Sequence, residues 1–190
     1  MLTRRKANLT DLSFIYGCIL YGARKGHYSL NSENPEMISF MKKEIQSVIS
    51  HNVLLDKREA EALIFTLNNK RVGMLILSDY LVDSRGIEIY ALSIAKRYQQ
   101  QGYGSQALDQ LLRHYLYEDL HARCSQESKE MKNLLLRRGF EVIAVDNNHS
   151  ILFRQAFERM GVFQSGNMNY QLNLSGSGIF NDYTTSNNSN

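Results

Sequence analysis

Long apolar runs are missing from the sequence. Nothing in its 190 residues approaches the roughly 20 consecutive apolar positions that a membrane-spanning helix needs. The opening MLTRRKANLTDL also lacks the apolar stretch of a secretion signal. Cysteine is scarce. Cys18 and Cys124 stand far apart in no paired motif, which argues against a disulfide framework and for reduced thiols in a cytosolic, cytoplasmic protein. The five histidines are scattered, with no HExxH and no Cys/His cluster, so no metal site is expected. An excess of one charge is absent too: 22 Lys and Arg face 19 Asp and Glu, and a net +3 is too mild to indicate nucleic acid. The short basic clusters Arg4-Arg5-Lys6 and Arg137-Arg138 read as solvated surface.

What remains is the composition of an ordinary globular chain, 43% hydrophobic and 22% charged, long enough for one well-cored domain. Residues 2–7 suit a short first strand. From Leu12, apolar residues at 12, 15, 16, 19 and 20 have helical spacing, with Thr10 or Asp11 as the expected N-cap. A second helix is expected to start at Asn34-Pro35-Glu36, with the single proline at its first position. Strands are read at Glu61–Leu67 and Arg71–Leu81, joined by a turn at Asn68-Asn69-Lys70. In the next strand, IEIYALSIA, period-two alternation puts Ile87, Ile89, Ala91 and Ser93 on one face and Glu88, Tyr90, Leu92 and Ile94 on the other. An amphipathic helix carries Leu108, Leu111, Leu112 and Tyr115. LHARC (120–124) reads as a strand, 126–138 as a helix stopped by Gly139, and FEVIAV as a strand.

The end leaves two readings open. A hairpin over 140–156 closes the core, followed by an arm at 157–174; or the last core strand is MNYQLNL (168–174), which alternates cleanly. Residues 175–190 are polar, nearly uncharged, and read as a flexible tail. The domain is taken as 1–156.

Between the fourth strand and the amphipathic helix stands QQQGYGS, Gln99 to Ser105. Two glycines one residue apart have one plain reading, that they turn the chain. The other reading is chemical. A helix beginning near Gly104 leaves its first backbone N–H groups without intrahelical partners, and these donors with the helix dipole suit a phosphate oxygen. Side chains at 102 and 104 would block close approach, while neutral glutamines could add donors. The stretch is not a GxxxxGK[ST] loop and lacks the third glycine of GxGxxG.

Gln99, Gly102 and Gly104, preceded by IEIYALSIAKRY, resemble the signature of the GCN5-related N-acetyltransferase (GNAT) family: Gln or Arg, two residues, Gly, one residue, Gly or Ala. SKEMKNLLLRRGF (128–140) resembles the family's second block, and the element order agrees over residues 2–156. The resemblance implies an α/β fold with a mixed, mainly antiparallel central sheet, helices on both faces, splayed between the fourth and fifth strands. It implies acetyl-CoA as co-substrate and an amine acceptor. The pyrophosphate would rest on Gln99, Gln100, Gln101, Gly102, Tyr103, Gly104 and Ser105, the pantetheine on the backbone of Leu92, Ser93 and Ile94. Ser128 stands where the family commonly has an asparagine. Lys96 and Arg97 are read as surface.

Acetylation of an amine needs neutral nitrogen, and an alkyl ammonium of pKa about 10.4 is rarely deprotonated at neutral pH, so a general base helps. Glu88 is the candidate, at the place the base glutamate takes in the histone-acetylating branch. A backbone N–H near Ile94 would stabilise the thioester oxygen. The tyrosine that often protonates the leaving thiolate in this family is replaced by Leu135. Tyr90, on the face of Glu88, is the stand-in; a thiol leaving group of pKa about 8.5 also tolerates having no dedicated acid. Acceptor recognition is expected from the first two helices, their connection with Arg24, Lys25, His27, Tyr28 and Glu33, and the 68–71 turn. The expected activity is N-acetyl transfer to a primary amine of a small molecule or peptide. The alternatives are a non-catalytic acetyl-CoA-binding regulatory module and a structural role in which the arm makes a homodimer.

Overall fold

A computed structural model describes residues 2–28, 31–80, 86–146 and 150–156. Among these residues seven strands form one sheet: β1 (Thr3–Lys6), β2 (Ala60–Leu67), β3 (Lys70–Asp79), β4 (Ile87–Ile94), β5 (Leu120–Ser125), β6 (Glu141–Val145) and β7 (Ser150–Gln155). Four α-helices of the described residues accompany them: α1 (Leu12–Arg24), α2 (Pro35–His51), α3 (Tyr103–His114) and α4 (Lys129–Leu136). The strand order is β1-β2-β3-β4-β5-β7-β6. Every pairing is antiparallel except β4 with β5, which is parallel and runs only from Ile87–Ile89 against Leu120–Ala122. The expected mixed, mainly antiparallel sheet, splayed between the fourth and fifth strands, is what forms.

Helices cover both faces. α1 and α2 pack Ile15, Ile19, Met41, Ile45 and Val48 onto one side of the sheet; α3 and α4 pack Leu108, Leu111 and Leu135 onto the other. Among the described residues no helix is long and apolar enough to cross a membrane.

Local chemistry explains most boundaries. Asn34 caps α2, its Oδ1 accepting from the N–H groups of Glu36 and Met37 at 2.9 and 3.3 Å, with Pro35 in the first turn as expected. Asn68 and Asn69 both adopt left-handed backbone (φ 48° and 62°), giving a two-residue hairpin turn, so Lys70 belongs to β3 rather than to the turn. Asp11 stands at the N-cap of α1, one of the two positions expected, but its side chain makes no cap hydrogen bond to that helix. Its carboxylate instead accepts from the Asn8 N–H at 3.1 Å, in the capping box of a short 3-10 turn, Leu9–Asp11, and from Arg5 of β1 at 2.7 and 2.9 Å. The hydrogen bonds from Arg5 hold the Asp11 carboxyl below its usual range. The helix expected over 126–138 is trimmed to α4, and the last described strand is β7, seated between β5 and β6. The arm at 157–174, the tail at 175–190 and the expected strand end at Leu81 lie outside the described residues.

One irregularity alters the expected faces of β4. Ile76 of β3 lies opposite Ala91, but Leu77 lies opposite Ile89, so Tyr90 is an extra residue in the ladder. Alternation therefore slips by one. Ile89, Leu92 and Ile94 face α3 and α4, while Tyr90 and Ala91 both face α1 and α2. The reading that joined Leu92 and Ile94 to Tyr90 on one face is corrected by this bulge.

On the α1/α2 side the Tyr90 hydroxyl donates to Glu44 Oε1 of α2 at 3.1 Å. Glu44 is only 3% exposed, and burial pushes its carboxyl up to about 7 against the hydrogen bond from Tyr90. The native state thus keeps a proton that the unfolded chain has released above its ordinary pKa of 4.5. Stability from this group is fully present below pH 4.5 and fades as pH rises towards about 7. Glu44→Gln, which cannot ionise, should flatten that fall. In chemical denaturation at a series of pH values, the variant should gain roughly 3 kcal/mol on the wild type between those limits. The comparison cancels the opposite contribution of Asp11, and parallel curves would refute the assignment.

Candidate functional site

After Ile89, β4 and β5 part, and a cavity of about 380 Å³ opens between them. β4 gives it Leu92, Ser93 and Ile94; the start of α3 gives Gly102, Tyr103, Gly104 and Ser105; α4 and the residue before it give Ser128, Met131, Leu134 and Arg137. Gln99 and Gln100 complete that wall, and Tyr21, Gly22, His27 and Tyr28 close the opposite one. Of the cofactor-binding residues expected from the sequence, all line this cavity except Gln101, whose side-chain amide donates to Arg97 O at 3.0 Å.

The glycine stretch earns its conformation here. Gly102, at the N-cap of α3, has φ +79°, a backbone that side chains strain, although a Cβ there would meet no atom within 4 Å. At Gly104 a Cβ would sit 3.8 Å from Ile94 Cγ1 and Leu134 Cδ2, ordinary contact. Packing within the described residues thus demands glycine at neither position for want of space. No side chain caps α3, and its first i→i−4 bond is made by the Gln106 N–H to Gly102 O at 3.1 Å. The N–H groups of Tyr103, Gly104 and Ser105 precede that bond, so the end of the helix dipole faces the cavity with its donors. The expectation that the glutamines add donors is corrected for Gln99 as well as for Gln101: Gln99 Nε2 donates to Ile94 O at 2.9 Å and ties the chain back to the end of β4.

The free edge of β4 is also engaged at Leu92, whose carbonyl accepts from the Tyr28 hydroxyl at 3.0 Å. Ser128 Oγ and His27 Nδ1 stand 3.4 Å apart across the cavity, joining the α1–α2 connection to the start of α4. Cys124 lines the cavity, but burial pushes its thiol up to about 11, so it stays protonated.

The two residues given catalytic roles lie elsewhere. Glu88 is 6% exposed on the α1/α2 side, its Oε2 accepting from Arg58 Nη1 at 2.7 Å. Arg58 also reaches Asp56 at 2.9 Å and lies 5.6 Å from the centre of the Tyr90 ring. Neither Glu88 nor Tyr90 lines the cavity. Sequence reasoning missed Tyr21, Gly22 and Arg137. Arg137 had been grouped with Arg138, but Arg138 pairs with Asp109 at 2.7 Å while Arg137 reaches the cavity. Helical spacing holds the signal: Glu130, Met131, Leu134 and Arg137 fall on one side of α4. Lys96 and Arg97 stay outside, near the rings of Tyr21 and Tyr98.

An open strand edge beside a helix N-terminus fits a long ligand with amides along its length and phosphate at one end. The chain matches known proteins accordingly. The sequence profile of the Acetyltransferase (GNAT) family covers residues 27–140. No curated protein sequence matches significantly. Among solved structures, an acetyltransferase from Thermus thermophilus superposes with TM-score 0.64 at 16% identity, over 82% of this chain and 96% of that one. Spermidine N-acetyltransferase from Vibrio cholerae, in complex with CoA and spermine, gives 0.61 at 14% identity, over 80% and 92%. The ribosomal-protein-S18-alanine N-acetyltransferase of Escherichia coli gives 0.58 at 16% identity, over 90% and 100%. These identities speak for the fold, the profile for the family: the chain belongs to the Acetyltransferase (GNAT) family, and is an acetyltransferase that uses acetyl-CoA.

Proposed function

We propose that the protein transfers the acetyl group of acetyl-CoA to a primary amine of a small molecule or peptide, by direct attack with general-base assistance. The observation that carries this reading is that the unladdered edge of β4 and the uncapped start of α3 line one cavity. The pyrophosphate rests on the N–H groups of residues 103–105, with Arg137 supplying positive charge. The pantetheine runs along Leu92, Ser93 and Ile94 as an added strand would. The cytoplasm is the setting proposed.

The acceptor is assigned only as an amine. Two proteins of this fold carry names that point to a polyamine and to a ribosomal protein's alanine, so the fold serves both small and large acceptors. Glu88 is proposed as the base. It lies four residues before Leu92 on the strand that forms the cavity wall, in a cluster with Arg58, Asp56 and Glu44 behind Tyr90. A cationic acceptor would compete with Arg58 for its carboxylate.

Two measurements test the reading. In Gly102→Ala the left-handed backbone is strained by roughly 1–2 kcal/mol and a methyl enters the cradle. CoA affinity by calorimetry should drop at least about tenfold while the fold persists, and unchanged affinity would remove the diphosphate from this helix end. CoA–SH release from acetyl-CoA with a panel of amines should fall roughly 100-fold in Glu88→Gln with CoA binding intact. The same loss in Glu44→Gln alone would move the base to Glu44. Tight CoA binding with no turnover on any amine would favour the regulatory module.

A further inference from the structure

We propose that the Tyr28 hydroxyl is the hydrogen-bond donor that stabilises the departing CoA sulfur, in place of the family's helix-borne tyrosine that Leu135 replaces. This rests on the acetyl-transfer reading above.

The cavity has two ends. The cradle at Gly102–Ser105 takes the phosphates, so the reacting thioester lies at the other, where β4 leaves β5. Leu92 is the cavity residue of β4 nearest that fork, three past the last parallel pair at Ile89, and its carbonyl holds the Tyr28 hydroxyl at 3.0 Å. A pantetheine amide pairing with Leu92 O takes over that acceptor, and the hydroxyl, which also shares a hydrogen bond with Ser93, turns its proton to the sulfur. Leu135 cannot serve: it is fully buried in the core beneath α4. Tyr90 does not line the cavity, and its hydroxyl is bonded to Glu44.

The ring is held in place by shape. A Cβ on Gly22 would come within 2.6 Å of Tyr28 Cε2 and 2.8 Å of Cδ2, so the ring occupies the notch that this glycine leaves in α1. Burial keeps the phenol above its ordinary range, so Tyr28 remains protonated at working pH and acts as a donor. As the amine nitrogen bonds to the acetyl carbon, the C–S bond breaks and its electron pair goes to sulfur. The nitrogen's proton passes to the base, the sulfur takes a proton from water, and Tyr28 keeps its own.

Tyr28→Phe keeps the ring in its notch and removes only the donor. Gly22→Ala keeps the hydroxyl and pushes the ring out. Each is compared with the wild type on acetyl-CoA and on its selenoester analogue, whose selenolate leaves without help, using spermine and an alanine-terminated peptide as acceptors. CoA binding is measured by calorimetry. Both variants should lose roughly 100-fold in kcat on the thioester, the size of loss seen when a transition-state donor is removed. Both should be nearly unchanged on the selenoester at saturating concentration, and Tyr28→Phe should bind CoA no more weakly than the wild type. Equal loss on the two esters, no loss, or weakened CoA binding by Tyr28→Phe would overturn the proposal. Absence of acetyl transfer by the wild type to either acceptor would overturn it together with the function proposed above, whereas wild-type transfer with an unaltered Tyr28→Phe overturns this role alone.

Discussion

The parallel pairing of β4 with β5 ends after Ile89, and the cavity exists because of it. Each strand is committed on its other side. β4 pairs with β3 as far as Ile94, and β5 pairs with β7 over its whole length, Leu120–Ser125. Adjacent strands twist relative to one another, so two strands held by outer partners diverge once their short shared ladder stops. The divergence has a cost: strand carbonyls left unpaired in a largely buried place need other partners. The Tyr28 hydroxyl takes Leu92 O and the Gln99 amide takes Ile94 O. The substitutes are side chains, which can be exchanged for a ligand's amides without unzipping the sheet.

The same divergence brings a helix terminus to the cleft. The chain leaves β4 through a short 3-10 turn, Lys96–Tyr98, held by Gln99, and enters α3 through left-handed Gly102. α3 then packs Ala107, Leu108 and Leu111 under the sheet, which fixes the helix axis and aims its start at the gap. Strand edge and dipole end are thereby set on one cavity, an arrangement that suits the seat proposed for acetyl-CoA.

Where signals were local, they were legible. Asn34-Pro35 marks a helix start because cap and first turn are neighbours in sequence, and Asn68-Asn69 marks a hairpin because both tolerate left-handed backbone. β4 and the glycine stretch placed nine of their ten expected cofactor residues on one cavity, since those residues are nearly contiguous in sequence. What escaped was long-range. Asp11 stands at the cap of α1, but its ion pair with Arg5 forms only across the fold. Tyr28 meets Leu92 across 64 positions of sequence, and nothing local to Gly22 announces that an aromatic ring will fill its notch. The slip at Tyr90 was invisible for a different reason. Both faces of β4 are buried, so IEIYALSI carries apolar residues in either register and the pattern cannot report a one-residue shift.

That slip also sorts the chemistry. Without it, Tyr90 and Leu92 would share a face, and the aromatic ring would stand beside the residues that line the cleft. With it, Tyr90 and Ala91 turn together towards α1 and α2, and the ionic cluster of Glu88, Arg58 and Asp56, with Glu44 at the Tyr90 hydroxyl, gathers behind them. Leu92 and Ile94 rejoin the α3/α4 side and offer their backbone to the cavity. β4 becomes a partition one strand thick, with carboxylates on one side and the cofactor cleft along its free edge. In the reading proposed here β4 keeps the Arg58 guanidinium and its carboxylates from the diphosphate cradle, while Tyr21 and Gly22 of α1 bring the α1/α2 side to the cavity wall.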